Sequence, residues 1–545
     1  MHSGGSRRKA RLLGAVILLA VSLAGPPPDV LAQNLRQEAP IPESTKQSLT
    51  AIENSFLLTT TQPRLTMFPQ MREQMKDAPA FLRDSTGTVD FRTYFRDAIS
   101  NSAPGRADWK ESWAAGGSVS WQSGRIADLI SGGMVLYTSF PVYAPLDRDG
   151  AQLLLPGQQQ YGVVGQLYGM VHIGDDHEFV AGRYRYDTPF LGPQDNRMSP
   201  KTFYGYTVKG RFGNPETGPA LRYGGGYIAA MKDRNATEFV AMSLAAGAAE
   251  PRGTGVAGGM FRWGPVRIGA IEYYTQDTIN IAYAEAKVGH ALDSGLHATL
   301  AAQFVDQRSI GANLLNGGAP FATNQFGLQG QLGYETAILT LAYTSVNPGF
   351  NIQTPWSANP FYTDALVNSF NLAGENTFMA GASLGFRPLG LPGVAASVFY
   401  FNGSSSAPAA GAPLTQYEWN YVLDWQPDWK PLQGLWFRGQ YGHSSTTQGN
   451  VVTTGEEIRV TLNYRVKIYC GACLDLDRHR DVPSPRGKSD DFTTTLLAVR
   501  DGRSRRIAVA RLRRSRPRRV GADEPHVDGQ RAGPAQRALL SHGRH

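Results

Sequence analysis

Hydrophobic and polar residues alternate with a period of two along much of this chain. In the stretch 456–469, Ile458 and Leu462 fall on one face, while Arg459 and Thr461 fall on the other. Because successive side chains of a β-strand point to opposite faces, this period predicts strands with one apolar and one polar face. The same period recurs in residues 89–97, 114–124, 161–174, 203–213, 279–289, 296–307 and 326–335.

Three further features favour a transmembrane barrel over a soluble sandwich, which would also alternate. The strands run about 10 to 13 residues, which suits a tilted crossing of a bilayer better than an ordinary globular strand. Aromatic residues such as Phe261, Trp263 and Tyr274 gather near strand ends, where barrels of this kind carry interfacial girdles. Short connections at 174–178, 212–219 and 263–265 alternate with long ones at 141–159, 188–202, 308–324 and 347–376.

The connections also set the strand count. If 238–247 is counted as a strand, the total is nineteen and the long connection 308–324 falls on the short-turn side. If 238–247 belongs to a long external loop, the alternation is restored and eighteen strands remain. Bacterial single-chain barrels have an even number of strands, with short periplasmic turns and long external loops. We therefore predict an all-β fold, a transmembrane antiparallel β-barrel of about 18 strands.

The start of the chain has the parts of a secretory signal peptide. Residues 6–11 are basic, residues 12–25 form an apolar stretch too short for a comfortable membrane span, and Ala32 ends a small-residue cleavage site. Ala24 is an alternative cleavage position, and an uncleaved anchor is the competing interpretation. The prediction is a signal peptide over 1–32 and a polar periplasmic extension, loosely ordered or partly helical, over 33–77.

Charge distribution argues against a nucleic-acid-binding protein. The whole chain has a net charge of +8, but residues 1–32 contribute +3 and residues 470–545 contribute +8. The remaining body, 33–469, therefore carries −3. A near-neutral body lacks the excess positive charge that nucleic-acid binding needs.

Four segments resemble the OprD family of outer-membrane porins. Residues 78–97 and 111–124 are similar to that family's first two strands, and residues 185–208 to its third-loop segment. Residues 354–386 resemble its seventh-loop segment, although Asn371 stands where an arginine is common. The segments occur in the family's order, and the similarity spans residues 78–469.

The resemblance implies a porin barrel over 78–469, whose aqueous lumen is narrowed by the third and seventh loops. Family members favour carboxylate-bearing solutes, including amino acids and aromatic acids. The expected function is passive, partly selective diffusion of small hydrophilic solutes across the bacterial outer membrane, with no reaction catalysed and no cofactor. The expected partners are such solutes, outer-membrane lipid and the barrel-assembly machinery, with a homotrimer left open. A barrel lipase and an adhesin or receptor barrel are the competing functions.

The loop between the predicted strands 177–187 and 203–212 is the candidate constriction. Its prolines and glycine oppose strand pairing, and loops on a rigid scaffold are where binding groups concentrate. We predict that Asp187, Asp195 and Arg197 supply fixed charges at the narrowing. The competing interpretation is an exposed loop whose charges are solvated.

Basic residues are assigned to the lumen by their phase along the strands. If Tyr184 and Tyr186 face lipid, Arg183 and Arg185 face the lumen. A lipid-facing arginine at mid-bilayer costs about 2–4 kcal/mol, so phase has physical weight. The same rule gives Arg92, Lys209, Arg211, Arg222, Arg262, Arg267, Arg438, Arg459 and Arg465. Rings of this sign favour anions or the carboxylate end of a zwitterion. The competing interpretation is pairing with lumen acids such as Asp90, Glu272 and Glu457.

Other chemical motifs are present only as patterns. Residues 381–385 match the nucleophile elbow of hydrolases but lie in an alternating strand, where the required strand-to-helix turn is missing. Residues 253–258 match a dinucleotide fingerprint, but a strand follows where a helix should. Cys470 and Cys473 have no second ligand pair, and the histidines lack metal spacing, so no catalytic or metal site is predicted.

The tail, residues 470–545, differs from the barrel in its sequence pattern. One interpretation is a disordered arginine-rich arm. The hypothesis we favour is out-of-frame translation, because barrels of this class end on their last strand with an aromatic residue, here Tyr469. Intact-mass analysis of the mature protein tests it.

Overall fold

Eighteen antiparallel strands form one closed ring. The computed structural model describes residues 66–470 except 104–105, 215–217, 292–295, 407–410, 428, 430–431 and 433. The strands are β1 (Thr86–Ala103), β2 (Arg106–Gln122), β3 (Ile130–Tyr143), β4 (Tyr161–Ile173), β5 (His177–Tyr184), β6 (Thr202–Gly213), β7 (Ala220–Lys232), β8 (Thr254–Trp263), β9 (Val266–Thr275), β10 (Ile279–Ala291), β11 (Leu296–Ser309), β12 (Ala322–Tyr334), β13 (Ala337–Val346), β14 (Glu375–Gly385), β15 (Val394–Ser405), β16 (Leu414–Trp425), β17 (Leu435–Gln448) and β18 (Val451–Cys470). The predicted signal peptide, most of the extension and nearly all of the tail lie outside the described residues.

Ring closure confirms the predicted barrel and its strand count. Each strand pairs with the next in sequence, and β1 pairs with β18, where Val89 lies opposite Val466. The segment 238–247 contributes only a two-residue strand, Val240–Ala241, which pairs with the end of β7 and with no other strand of the sheet. Because β7 pairs directly with β8, this short strand lies outside the ring. Closure leaves the sheet without an unpaired edge, as a backbone in lipid requires.

The two faces of the wall differ as the alternation predicts. Strand β16 alternates along nearly its whole length: Gln416 and Glu418 are buried, while Tyr417 and Trp419 are exposed. Across the ring, large apolar side chains face outward, as Phe91 does with 57% of its surface exposed. An apolar outer face and a polar inner face are the arrangement of a barrel that lipid surrounds.

Antiparallel connectivity places the long connections at one end, here called the loop end. These are the second loop (144–160), third loop (185–201), fourth loop (233–253), sixth loop (310–321) and seventh loop (347–374). The opposite, turn end carries short connections such as 174–176, 264–265 and 335–336. The helices within the described ranges are single turns, Met71–Gln74, Ala80–Arg83 and Met242–Ala245, and none of them is long or apolar enough to span a membrane.

Several loops fold into the ring and pack against one side of its inner wall. Phe190 of the third loop and Trp356 and Phe361 of the seventh loop join a buried cluster with Tyr273 of β9 and Tyr283 of β10. The remaining members are Leu191, Phe203, Ile228, Met231, Met242, Met260, Ile271, Ile279, Ile281, Val305, Phe321, Val346 and Ile352. We call β6–β13 at this level the apolar wall. Many of its inward side chains are apolar, so the loops bury hydrophobic surface by folding onto it.

Candidate pore constriction

The wall formed by β1, β17 and β18 carries arginines that face into the barrel. Arg96 and Arg459 both contact Glu457, with Nε to Oε1 distances of 2.6 and 2.5 Å. Arg438 Nε donates to Asp424 Oδ1 at 2.8 Å. Further along β18, Arg465 pairs with Asp90. We call β1, β17 and β18 the charged wall. These arginines are paired with carboxylates, which offsets the cost of removing the charges from water.

The third loop crosses the interior from the apolar wall to the charged wall. Near its start, Tyr273 Oη of β9 donates to Thr188 Oγ1 at 2.9 Å. Further along, Asp195 Oδ1 accepts a hydrogen bond from Arg92 Nη1 of β1 at 2.5 Å. Since β1 and β9 lie on opposite sides of the ring, the loop spans the lumen.

Asp195 is held as an anion by two arginines. Its second carboxylate oxygen lies 3.7 Å from Arg185 Nη1. Burial raises the pKa of Asp195, but the charges of Arg92 and Arg185 outweigh burial and hold that pKa well below its usual range. The structure therefore brings together Asp195 and Arg185, which were predicted from sequence as separate features.

Arg197 is a cation without a counter-ion of its own among the described residues. Its side chain is 3% exposed, its Nη1 donates to the Asn196 carbonyl, and its Nε has no partner in the described part of the chain. Burial and the charges of Arg459, Arg96 and Arg234 lower its pKa well below the usual value. A buried guanidinium among like charges is a favourable site for an incoming anion.

The seventh loop is fixed on the other side of this cluster by backbone hydrogen bonds. Both oxygens of the Glu418 carboxylate accept backbone N–H groups of Val367 and Asn368, at 2.8 Å each. Arg459 Nη2 donates to the carbonyl of Leu366 at 3.1 Å. Strand β16 and the charged wall thus hold the loop inward. The role of Glu418 was missed from sequence, although its inward phase in β16 was a usable signal.

A row of cations lines the inner wall nearer the turn end. The register places Arg211 opposite Arg222 and Arg262 opposite Arg267, on β6–β9. Like charges directly opposite each other in a sheet are destabilising. Arg211 pairs with Asp176, and on β6 Lys209 Nζ lies 2.7 Å from Glu178 Oε1. The registers of β6 with β7 and of β8 with β9 therefore place like charges directly opposite each other on the inner wall.

Arg183 does not join this lumen set. It lies opposite Tyr204 and Leu167, which are 51% and 55% exposed and face outward. Its guanidinium carbon lies 4.7 Å from the centre of the Phe239 ring, and Nη1 donates to the Val164 carbonyl. The sequence pattern placed Arg183 in the lumen on the condition that Tyr184 and Tyr186 face lipid. Because those tyrosines do not face lipid, the placement of Arg183 was wrong.

The two tyrosines lie inside the barrel. Tyr184 is opposite the fully buried Phe203, and Tyr186 contacts Thr207 Oγ1 at 3.1 Å and packs against the apolar cluster. Strand β5 ends at Tyr184, three residues before the predicted end, so Arg185 follows the loop rather than the strand and reaches Asp195 from there.

Two acidic residues lie away from the positions in the lumen where they were expected. Asp187 is exposed and lies beside Thr188, on the β9 side of the ring, so it is not grouped with Asp195 and Arg197. Glu272 is on the outward face of β9, between the exposed Ile268 and Tyr274, and does not pair with lumen arginines. Its carboxylate accepts a hydrogen bond from Asn280.

The remaining motifs fall where a barrel strand places them. Ser383 lies within β14 and accepts a hydrogen bond from Ser397 Oγ at 2.8 Å, with no turn into a helix. Residues 254–258 belong to β8. Over the residues that the structure describes, no cluster of three or more His, Cys, Asp or Glu could hold a metal ion.

Comparison with known proteins identifies the relatives of this architecture. The sequence model described as "outer membrane porin, OprD family" matches residues 79–468. No curated protein sequence matches the chain significantly.

Solved porin structures share the fold at low sequence identity. OccK9 (OpdG) of Pseudomonas aeruginosa is 20% identical with a TM-score of 0.63, and the match covers 71% of this chain and 100% of that one. OpdK of the same organism, solved with vanillate, is 19% identical with a TM-score of 0.61 and the same coverage. OccAB3 of Acinetobacter baumannii is 16% identical with a TM-score of 0.63, again over 71% and 100%. These structures support the fold of this chain.

Proposed function

Because the chain belongs to the OprD family of outer membrane porins, we propose that it conducts small hydrophilic solutes bearing a carboxylate, such as amino acids and small or aromatic acids. The family and the barrel place it in an outer membrane. One observation carries the preference for carboxylates. Arg197 is buried beside Arg96, Arg234 and Arg459, and of these four cations Arg96 and Arg459 share one carboxylate, Glu457.

The excess positive charge lies where the third and seventh loops approach the charged wall. A carboxylate that loses water at this narrowing gains charge-assisted hydrogen bonds from guanidinium groups. Conduction also needs release, which the shared hydrogen bonds of Glu457 favour because they compete with the solute for the same arginines. Arg211, Arg222, Arg262 and Arg267 then supply further positive charge towards the turn end.

Conductance and solute uptake test the proposal. In planar bilayers we expect discrete current steps and a reversal potential in a KCl gradient that favours chloride. In liposome swelling we expect benzoate to enter faster than benzylamine or benzamide, which have nearly the same size. The absence of current steps would leave an adhesin, a receptor or a barrel lipase as the function. Steps with equal entry of the three solutes would refute the carboxylate preference alone.

A substitution at the buried guanidinium makes the test specific. Arg197→Gln is expected to reduce the advantage of benzoate over benzamide, because it removes the cation that has no counter-ion of its own. Arg252→Gln is the matched control, since Arg252 lies in the fourth loop and pairs with the exposed Glu250. Equal benzoate selectivity in both variants would contradict the role of Arg197.

The wider cellular setting belongs to the same proposal. Export through the signal peptide 1–32, insertion by the barrel-assembly machinery and association into a homotrimer are consistent with an outer-membrane porin. Sizing of the detergent-solubilised protein by light scattering distinguishes one copy from three.

A further inference from the structure

Two fully buried lysines meet at the loop end of β6 and β7. Lys201 precedes β6, and Lys232 ends β7 opposite Thr202; both side chains are 0% exposed. A buried ammonium group is costly unless charges and hydrogen-bond acceptors surround it. Here Asp233, the first residue of the fourth loop, lies beside both lysines.

Each lysine joins Asp233 to another loop. Lys201 Nζ lies 3.6 Å from Asp233 Oδ1 and donates to the Trp356 carbonyl of the seventh loop at 2.7 Å. Lys232 Nζ donates to the Asp233 carbonyl at 2.7 Å and lies 3.3 Å from Ser199 Oγ of the third loop. The start of the fourth loop is therefore bound to both constriction loops.

The next residue, Arg234, extends these contacts to the second loop. Its Nη1 donates to Asn196 Oδ1 of the third loop at 2.7 Å, and its Nη2 donates to Gln152 Oε1 of the second loop at 2.9 Å. Its carbonyl accepts hydrogen bonds from Ser199 Oγ and Tyr161 Oη at 2.8 and 3.0 Å. Asp233 lies beside the same residue: its Oδ1 accepts the Arg234 backbone N–H at 2.7 Å and lies 3.8 Å from Arg234 Nε.

We propose that Asp233 and Arg234 are positioning residues for the constriction, which hold the third loop in the position that keeps the Arg197 guanidinium buried at the narrowing. The inference rests on the proposed function, because the position of the Arg197 side chain affects transport only if solutes pass it. Arg197 Nη1 donates to the carbonyl of Asn196, the residue whose side chain Arg234 holds. A displacement of Asn196 therefore displaces the Arg197 guanidinium directly.

The planar fork of the Arg234 guanidinium gives the sharpest test. Arg234→Lys keeps the positive charge but cannot reach Asn196 and Gln152 together. We expect the chloride-to-potassium permeability ratio to change by about twofold or more, with frequent partial closures. The control is Arg252→Lys, the same exchange at a partly exposed residue of the fourth loop. Both variants should keep the heat-modifiable gel shift of a folded barrel.

Two further variants remove other groups of the same set of contacts. Asn196→Ala removes the acceptor of Arg234 Nη1 and should reproduce the effect of Arg234→Lys. Asp233→Asn removes the carboxylate beside the two lysines and should do the same, whereas Glu250→Gln, in the same loop, should not. These variants keep the inference testable if Arg234→Lys fails to fold.

The outcomes separate this inference from the proposed function. If the unmodified protein gives no channels, the proposed function fails. If it conducts while Arg234→Lys, Asn196→Ala and Asp233→Asn all keep its permeability ratio and steady current, the function stands and the positioning role is refuted.

Discussion

The two sides of the barrel interior hold their loops by different physical means. On the apolar wall, Trp356, Phe190 and Tyr283 are at most 1% exposed and pack as a protein core does. On the charged wall, Arg96, Glu457 and Arg459 are also largely buried, but they contact one another through charged hydrogen bonds. Both walls are close-packed, yet at this level the arginines and carboxylates of the second offer charged groups that a passing ion can recognise.

This difference indicates how the narrowing is built. Dispersion and hydrophobic contacts depend on fit, so the apolar wall fixes the loops without specifying charge. Charged hydrogen bonds depend on partners, so the charged wall can exchange an internal carboxylate for that of a solute. The constriction is therefore expected to lie off centre, against β1 and β18, with the loops backed by the apolar wall.

Removal of the largest buried side chain of the seventh loop is expected to have the largest effect. Trp356→Ala deletes an indole that is 1% exposed and donates to the Met242 carbonyl at 3.0 Å. Core truncations of this size cost about 3–5 kcal/mol. We expect the loop to leave its inward position, with a larger single-channel conductance and weaker solute selectivity in planar bilayers.

The strands should survive this change, since they are closed without the seventh loop. Heat modifiability on gels is the control for the barrel itself. Leu389→Ala, at an exposed position on the turn end, is the matched truncation outside the loops. Unchanged conductance in Trp356→Ala would show that apolar packing does not hold the loop in place.

Neutralisation of Glu457 probes the charged wall. Glu457→Gln keeps the size of the side chain but leaves Arg96 and Arg459 without their shared anion. We expect a loss of about 2–3 kcal/mol in stability, below that of a fully buried broken pair because the amide oxygen still accepts hydrogen bonds. The reversal potential in a KCl gradient should move towards that of chloride.

The neighbouring residue provides the control for Glu457. Glu456 is 53% exposed on the outward face, where it lies 3.7 Å from His443. Glu456→Gln changes the formal charge equally but should leave the reversal potential unaltered. Equal shifts in the two variants would mean that total charge, rather than the inner wall, sets selectivity.

The alternation of the sequence predicted the ring but not the loop contacts. Lipid outside and water inside impose a period of two on every strand, so Arg222 and Arg262 could be placed on the inner face from their exposed neighbours Leu221 and Phe261. The even strand count followed from the alternation of long and short connections. Both rules express the closure of a sheet in lipid.

The rules failed where a strand ended early or where no strand existed. Phase counted from Tyr184 put Arg183 on the wrong face, because aromatic residues at the loop end also pack inside the barrel. The contacts of Lys201 and Arg234 had no periodic signal, since they join loops that are distant in sequence. Inward charges in loops can be predicted only once the path of each loop is known.

The attachment of the third loop to the wall is expected to depend on pH, because Lys201 titrates. Burial, together with the charges of Arg234 and Arg197, lowers the pKa of Lys201 to about 8, although the charge of Asp233 opposes this. Lys232 also faces this group. When the loop leaves the wall, the lysine regains its ordinary, higher pKa, so the released state binds the proton more tightly. The inward position therefore gains stability as pH rises from about 8 to 10.5, by at most about tenfold per pH unit.

Single-channel recordings across this range measure the effect. We expect partial openings to become rarer as pH is raised, and this trend to weaken in Lys201→Met, which cannot titrate at this position. The same variant of an exposed residue, Lys76→Met, should keep the trend. A trend of unchanged size in Lys201→Met would assign the effect to another group, such as Lys232 or a tyrosine.

The smallest effect is expected in the cation row, where stability and conduction should change in opposite directions. Arg262 lies opposite Arg267, and its Nε has no partner in the described part of the chain. Arg262→Gln should raise the stability of the barrel by a few tenths to about 1 kcal/mol, because like charges across a strand pair repel. It should also lower chloride permeability slightly, since one positive charge leaves the inner wall. Urea unfolding in detergent measures the first change and reversal potentials measure the second.

Arg308→Gln, on an exposed arginine paired with Asp306, removes the same charge without relieving repulsion. A variant at Arg262 that loses stability would show that the row is structural, and the argument that its charge serves passing anions would fail.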